Sequence, residues 1–228
     1  MRILVTGATG LVGQGVLREC LRATDVTHVA ALGRHPSGQS VPKPAGPKLA
    51  DPKLEDIVVP DFADLRAVED RLHPFDACLY CAGAMPLGMS EAAYRHVTVD
   101  LTLNVARTLA RGNPALTFLY ISGAASNPAS HLMPLRIKGE AERALAALPI
   151  RTVMLRPGAI QPVEGVRSPH AGLAPLYAVT GPFMGLGVRL LPQAMTTTAR
   201  IGRAMLALLR QGDPPAVVEN AQINRLGS

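Results

Sequence analysis

Glycine stands at positions 7, 10 and 13, directly behind the apolar run Ile3-Leu4-Val5 and directly ahead of a segment with helical spacing. A short β-rich run that stops at glycine reads as a buried strand, here Met1–Thr6. Over Leu11–Ala23 the residues Leu11, Val12, Val16, Leu17 and Cys20 recur on one side of a helix. Strand, glycine turn and helix in that order constrain the fold strongly. The helix opens at the turn with free N–H groups and the positive end of its dipole aimed at one point. That point suits an anion, and glycines allow the backbone to approach it closely. A strand-turn-helix of this kind is how a dinucleotide pyrophosphate is held. Gly7, Thr9, Gly10, Leu11, Val12 and Gly13 are the residues expected to touch it. The spacing is G-x-x-G-x-x-G, which is weak by itself and gains weight from its position between strand and helix.

The same alternation continues. Strands are expected at Thr27–Leu32, Asp56–Val59, Asp76–Cys81, Leu116–Ile121 and Arg151–Leu155. Between them lie a Pro- and Gly-rich loop over 33–53 and helices at Asp64–Leu72, Ser90–Arg111 and Pro134–Leu148. Pro134 suits the first position of its helix. Strands alternating with helices imply an α/β fold of the Rossmann type, a doubly wound parallel sheet with helices on both faces. In such sheets ligands sit beyond the carboxyl ends of the strands. Residues 1–158 are read as the dinucleotide-binding core. Residues 159–228 break the alternation and are read as a small C-terminal substrate or lid region with a helix at Thr197–Arg210, packed on the same domain.

Charge separates these two parts. Residues 1–150 carry 15 basic and 14 acidic groups, and residues 151–228 carry 8 and 3. The excess of five positive charges in the C-terminal third accounts for most of the net +6. An anionic ligand, an anionic membrane surface and an ordinary solvated surface all fit it. Nucleic acid does not, because basic residues are not clustered and aromatics make up 4% of the chain with no tryptophan. Ser168–Val188 contains no Lys, Arg, Asp or Glu but holds three prolines and four glycines. A spanning helix needs ~20 mainly apolar residues. The dense helix breakers favour a lid, or a peripheral membrane contact through 168–192. Three cysteines and no secretory signal read as a reduced, cytoplasmic protein. Cys78 and Cys81 have dithiol spacing, yet on a strand residues three apart face opposite ways. The six histidines show no ligand spacing, so no metal is expected.

Strand two ends in Leu32-Gly33-Arg34-His35. An acid there would bind the adenosine ribose. Arg34 suits a 2′-phosphate instead, so NADP(H) is expected in preference to NAD(H).

Further motifs follow in order: Asp61-Phe62, Cys81-Ala82-Gly83-Ala84, Tyr120-Ile121-Ser122-Gly123-Ala124, Lys138-Gly139-Glu140 and Arg156-Pro157-Gly158. With the glycine turn, these resemble the short-chain dehydrogenase/reductase superfamily, and within it the atypical members related to NAD-dependent epimerases and dehydratases. The resemblance spans nearly the whole chain. It implies that Asp61 binds the adenine amino group with Phe62 beside it, and that Cys81, Ala82 and Gly83 lie along the cofactor. It implies that Ser122 hydrogen-bonds the reacting oxygen, that Lys138 holds the nicotinamide ribose, and that Pro157 and Gly158 flank the nicotinamide. One departure stands out. The family's acid/base tyrosine precedes the lysine by four residues, and here that position is Pro134, which carries no proton. A general acid or base contributes about 10²–10⁴ in rate. His131 and Tyr177 are the candidates to replace it, and Tyr94 a weaker one. Two functions remain: an NADP(H)-dependent oxidoreductase or epimerase-like enzyme acting on a small molecule, or a non-catalytic NADP(H)-binding sensor or interaction protein, either of them with or without a membrane-surface role.

Overall fold

A computed structural model describes residues 1–38, 51–162 and 193–228. Tyr177 and the uncharged 168–188 stretch, with the membrane contact expected through 168–192, lie outside the described residues. Seven parallel strands form one sheet in the order β3-β2-β1-β4-β5-β6-β9. They are β1 Arg2–Thr6, β2 His28–Gly33, β3 Leu54–Val58, β4 Ala77–Tyr80, β5 Thr117–Ile121, β6 Arg151–Arg156 and β9 Val217–Glu219. The order reverses between β1 and β4, which opens a crevice above their carboxyl ends where a doubly wound sheet binds ligands.

Both sheet faces are covered, so the central strands read as continuous apolar runs rather than as alternating ones. Leu4, Cys78, Tyr80, Phe118, Tyr120 and Met154 point to one face. There they meet α2 (Glu69–Leu72), α4 (Leu101–Gly112) and α5 (Met133–Ala146). Ile3, Val5, Leu79, Leu119, Val153, Leu155 and Val218 point to the other. That face is covered by α1 (Leu11–Arg22), α6 (Thr198–Leu209) and α7 (Asn220–Leu226). Cys78 belongs to the first core and Cys81 packs against the second, so the dithiol spacing is a strand coincidence. Burial pushes the Cys20 thiol up to about 12, as expected of an inert core cysteine.

The helix expected over Ser90–Arg111 is present but not uniform. The Ser90 hydroxyl accepts the Ala93 N–H and caps α3 (Glu91–Arg95). One π turn, His96–Asp100, then carries the chain into α4. The described residues beyond 158 join the same core. α6 packs on α1 through small residues: a Cβ on Gly15 would lie 2.5 Å from Thr198 Cβ, and one on Gly202 would lie 2.8 Å from Glu19 Cγ. β9 adds to the main sheet beside β6, pairing Leu155 with Val218. β7 (Ala159–Gln161) and β8 (Met195–Thr197) make a separate two-stranded pair. None of these three short strands was foreseen. Among the described residues, no helix is long and apolar enough to cross a membrane.

Candidate dinucleotide and active site

The turn after β1 is shaped by close approach. Gly7 has φ +67°, and a Cβ there would fall 2.6 Å from the Ala82 nitrogen. A Cβ on Gly13 would fall 2.0 Å from the Gly7 oxygen. Neither position admits a side chain, so strand end, helix start and the turn after β4 are drawn together. Thr6 completes the join: its buried hydroxyl accepts the Cys81 and Ala82 N–H groups, each at 3.2 Å. Gly10 caps α1 without a side-chain hydrogen bond, and no acid stands in the first turn of α1. The N–H groups of Leu11, Val12 and Gly13, in the first turn of α1, are of the kind a helix leaves without an intrahelical partner, and the dipole there is unopposed by an acid, an electrostatic match for a pyrophosphate. The cradle, sized by glycine, fits that group.

Beyond β2, Arg34 sits exposed on a bend. Beyond β3, Asp61 is exposed and its carboxylate accepts the Ala63 N–H at 2.9 Å. Phe62 is buried among the core residues, so its ring is a packing group. Asn104 on α4 pins this loop, donating to the Phe62 carbonyl at 2.6 Å and the Ala63 carbonyl at 3.2 Å.

At the end of β5 two of the residues expected to be catalytic, Ser122 and Lys138, meet. Lys138 Nζ donates to the Ser122 carbonyl at 2.7 Å. Burial pulls its ammonium down to about 8, against an upward pull from Glu142 one helical turn on. The Ser122 hydroxyl is buried and donates to Ser126 Oγ at 3.0 Å, which donates to the Gly123 carbonyl at 2.8 Å. Ala125 between them has φ 59°, a conformation rare for an L-residue, and it turns Ser126 back toward Ser122. The loop can lie this low because Gly139 sits beneath it, where a Cβ would be 2.3 Å from the Pro128 nitrogen. Pro134 occupies the first turn of α5, as expected. The turn after β6 joins the group, since Ala124 N–H donates to the Pro157 carbonyl at 3.0 Å. Below it, Glu142 grips Arg156 through two bonds, Nε to Oε1 at 3.0 Å and Nη2 to Oε2 at 2.5 Å. That pairing holds the guanidinium pKa well above its ordinary value.

The expected site residues thus fall into two groups along one sheet edge. Gly7–Gly13 and Cys81–Gly83 form one, and Ser122, Lys138, Pro157 and Gly158 the other. His131 is exposed on the loop before α5, where its carbonyl lies 3.4 Å from Arg136 Nη1. Tyr94 is a core residue at 1% exposure, and burial raises its pKa. It is not a cleft acid. Thr6, Asn104 and Ser126 were missed as site residues. Only Thr6 carried a sequence signal, standing directly before Gly7.

The profile of the NAD dependent epimerase/dehydratase family matches residues 3–145. The chain belongs to that family. Among curated proteins, it is 28% identical over 159 residues to "Protein FMP52, mitochondrial" of Coccidioides immitis, covering 68% of this chain and 63% of that one. The protein of the same name from Saccharomyces cerevisiae is 29% identical over 170 residues, covering 74% and 68%. The chain therefore matches a little under two thirds of the length of the first relative. Among solved structures, MoeE5 in complex with UDP-glucuronic acid and NAD superposes with a TM-score of 0.66 at 18% identity, over 96% of this chain and 75% of that one. The UDP-glucuronic acid 4-epimerase of Bacillus cereus, with UDP-glucuronic acid and NAD, gives 0.66 at 16%, over 96% and 76%. At these identities the structures establish the shared fold.

Two expectations are corrected. The preference for NADP(H) drawn from Arg34 fails, because these relatives hold NAD. An exposed guanidinium discriminates poorly, since it stacks on an adenine face as readily as it pairs with a phosphate. Its loop is also not uniformly cationic, for the Asp56 carboxylate accepts the Ser37 N–H at 2.9 Å. The cytoplasmic placement fails as well, because both curated relatives are named mitochondrial proteins. Free cysteines separate reducing from oxidising surroundings, not the cytosol from an organelle interior.

Proposed function

We propose that the protein binds NAD(H) across the crevice above β1 and β4 and acts as an oxidoreductase or epimerase-like enzyme at a carbon bearing a hydroxyl or carbonyl. The observation that carries this reading is the contact between Lys138 and Ser122 at the end of β5, on the same sheet edge as the glycine cradle. When bound, NAD(H) supplies hydride exchange. The chain's own part is orientation and charge. The N-terminus of α1 neutralises the pyrophosphate. Asp61 meets the adenine end, and Lys138 meets the nicotinamide ribose. Ser122, once its hydroxyl hydrogen swings away from Ser126, donates to the substrate oxygen. Ser126 keeps that hydroxyl in reach without consuming space in the cleft. Small-molecule substrates of nucleotide-sugar type are the natural first panel, given the ligands of MoeE5 and the Bacillus cereus epimerase.

The test is a pair of measurements on Ser122→Ala and Lys138→Met. Both variants are expected to keep NADH binding within about tenfold, and to lose hydride exchange with the substrate by about 10²-fold or more. Turnover that survives both substitutions would remove the site from the chemistry. Pro134 favours a second reading, a dinucleotide-binding redox sensor without turnover. Tight NADH binding with no exchange across a wide carbonyl panel would select it.

A further inference from the structure

The turn Pro157-Gly158 is held from two sides, and one of them lies outside the family match. On the first side, the Pro157 carbonyl accepts from Ala124, two residues past Ser122. On the second, the Gly158 N–H donates to Asn220 Oδ1 at 2.8 Å. Asn220 is the first residue of α7 and only 4% exposed. Its amide nitrogen donates to the Met195 carbonyl at 3.0 Å, and Asn224 donates to the same carbonyl at 2.7 Å. Thr196 Oγ1 in turn donates to Asn224 Oδ1 at 2.8 Å. The backbone is equally close here: a Cβ on Gly158 would lie 2.1 Å from the Ala194 oxygen, and Ala159 N–H donates to that same oxygen at 2.8 Å.

A buried amide side chain that uses both its acceptor and its donor is expensive to disturb, because each lost partner leaves a desolvated polar group. Asn220 joins two segments, the turn after β6 and the strand β8. The turn stands beside Ser122 and Lys138, so its position fixes one wall at the reacting end of the crevice. The glycine cradle stands at the other end, after β1.

We propose that Asn220 is a positioning residue for the nicotinamide end of the dinucleotide, setting the Pro157-Gly158 turn without touching the cofactor. The proposal rests on the reading of the crevice as an NAD(H) site. It predicts a split between two ligands that share the adenine, both riboses and the pyrophosphate. ADP-ribose lacks the nicotinamide ring and NADH carries it.

Isothermal titration of the full chain with NADH and with ADP-ribose reads the split directly, and the blue shift of bound NADH fluorescence reports the ring. Asn220→Ala is expected to weaken NADH about tenfold, to diminish the blue shift, and to leave ADP-ribose within about twofold. Asn220→Asp keeps the acceptor for the Gly158 N–H but loses the donor to the Met195 carbonyl, and is expected to restore part of the NADH affinity. If the alanine variant does not fold, Asn220→Ser, with a shorter acceptor, replaces it under the same expectations. Equal loss of both ligands, or loss of neither, overturns the positioning role while leaving the site intact. Failure of the unaltered protein to bind either ligand overturns the NAD(H) site itself.

Discussion

Lys138 is held in an environment that penalises its charge, and this leaves a measurable signature. Its ammonium titrates at about 8 in the fold, against 10.5 for an ordinary lysine. Below pH 8 both folded and unfolded chains carry the proton, so the fold bears the full cost of burying it. Between pH 8 and 10.5 the unfolded chain binds more protons, so stability rises with pH across that window. Relative to Lys138→Met, the unaltered protein is expected to gain about 3 kcal/mol from pH 7.5 to 10.5. Urea unfolding of both proteins at several pH values measures it, and parallel curves would show that the lysine is not desolvated. This residue was legible from sequence because it stood in a motif at a fixed distance from Ser122. Ser126, Asn104 and Asn220 were not legible. Each is a single polar residue whose role depends on a backbone group far along the chain, such as the Phe62 carbonyl for Asn104.

At the scale of elements, the six core strands and the main helices could be read because each buries a full face and shows it in its pattern. β7, β8 and β9 could not. Val217-Val218-Glu219 is too short to display a period, and its partner Met154-Leu155-Arg156 lies some sixty residues earlier. The π turn at His96–Asp100 also left no mark, since one extra residue in a helical turn changes no composition. The contact of α1 with α6 offers a test of how the C-terminal segment is joined. Gly15 faces the Thr198 backbone at 3.0 Å as well as its Cβ, whereas Gly202 meets the Glu19 side chain first and the Val16 Cα only at 3.2 Å. Gly15→Val is expected to cost about 1–3 kcal/mol through overpacking, and Gly202→Ala clearly less. Thermal unfolding of the two variants ranks them, and the reverse order would contradict this helix pairing.

For the molecule as a whole, a ligand that binds only the folded chain must stabilise it. NAD(H) at a hundred times its dissociation constant is expected to add about 2.7 kcal/mol, seen as a rise in Tm with concentration. Gly13→Val, which fills the cradle against the Gly7 carbonyl, should abolish the rise. A shift that persists in that variant would place the dinucleotide elsewhere. The order of synthesis gives the Asn220 contact a further meaning. The glycine turn and its strand leave the ribosome early, and the strands that flank it follow soon after. Asn220 is made long after them, in a helix that follows the last strand added to the sheet. A shortened chain ending before Asn220 would therefore keep the strand, turn and helix of the glycine cradle yet lose the side chain that braces the turn after β6.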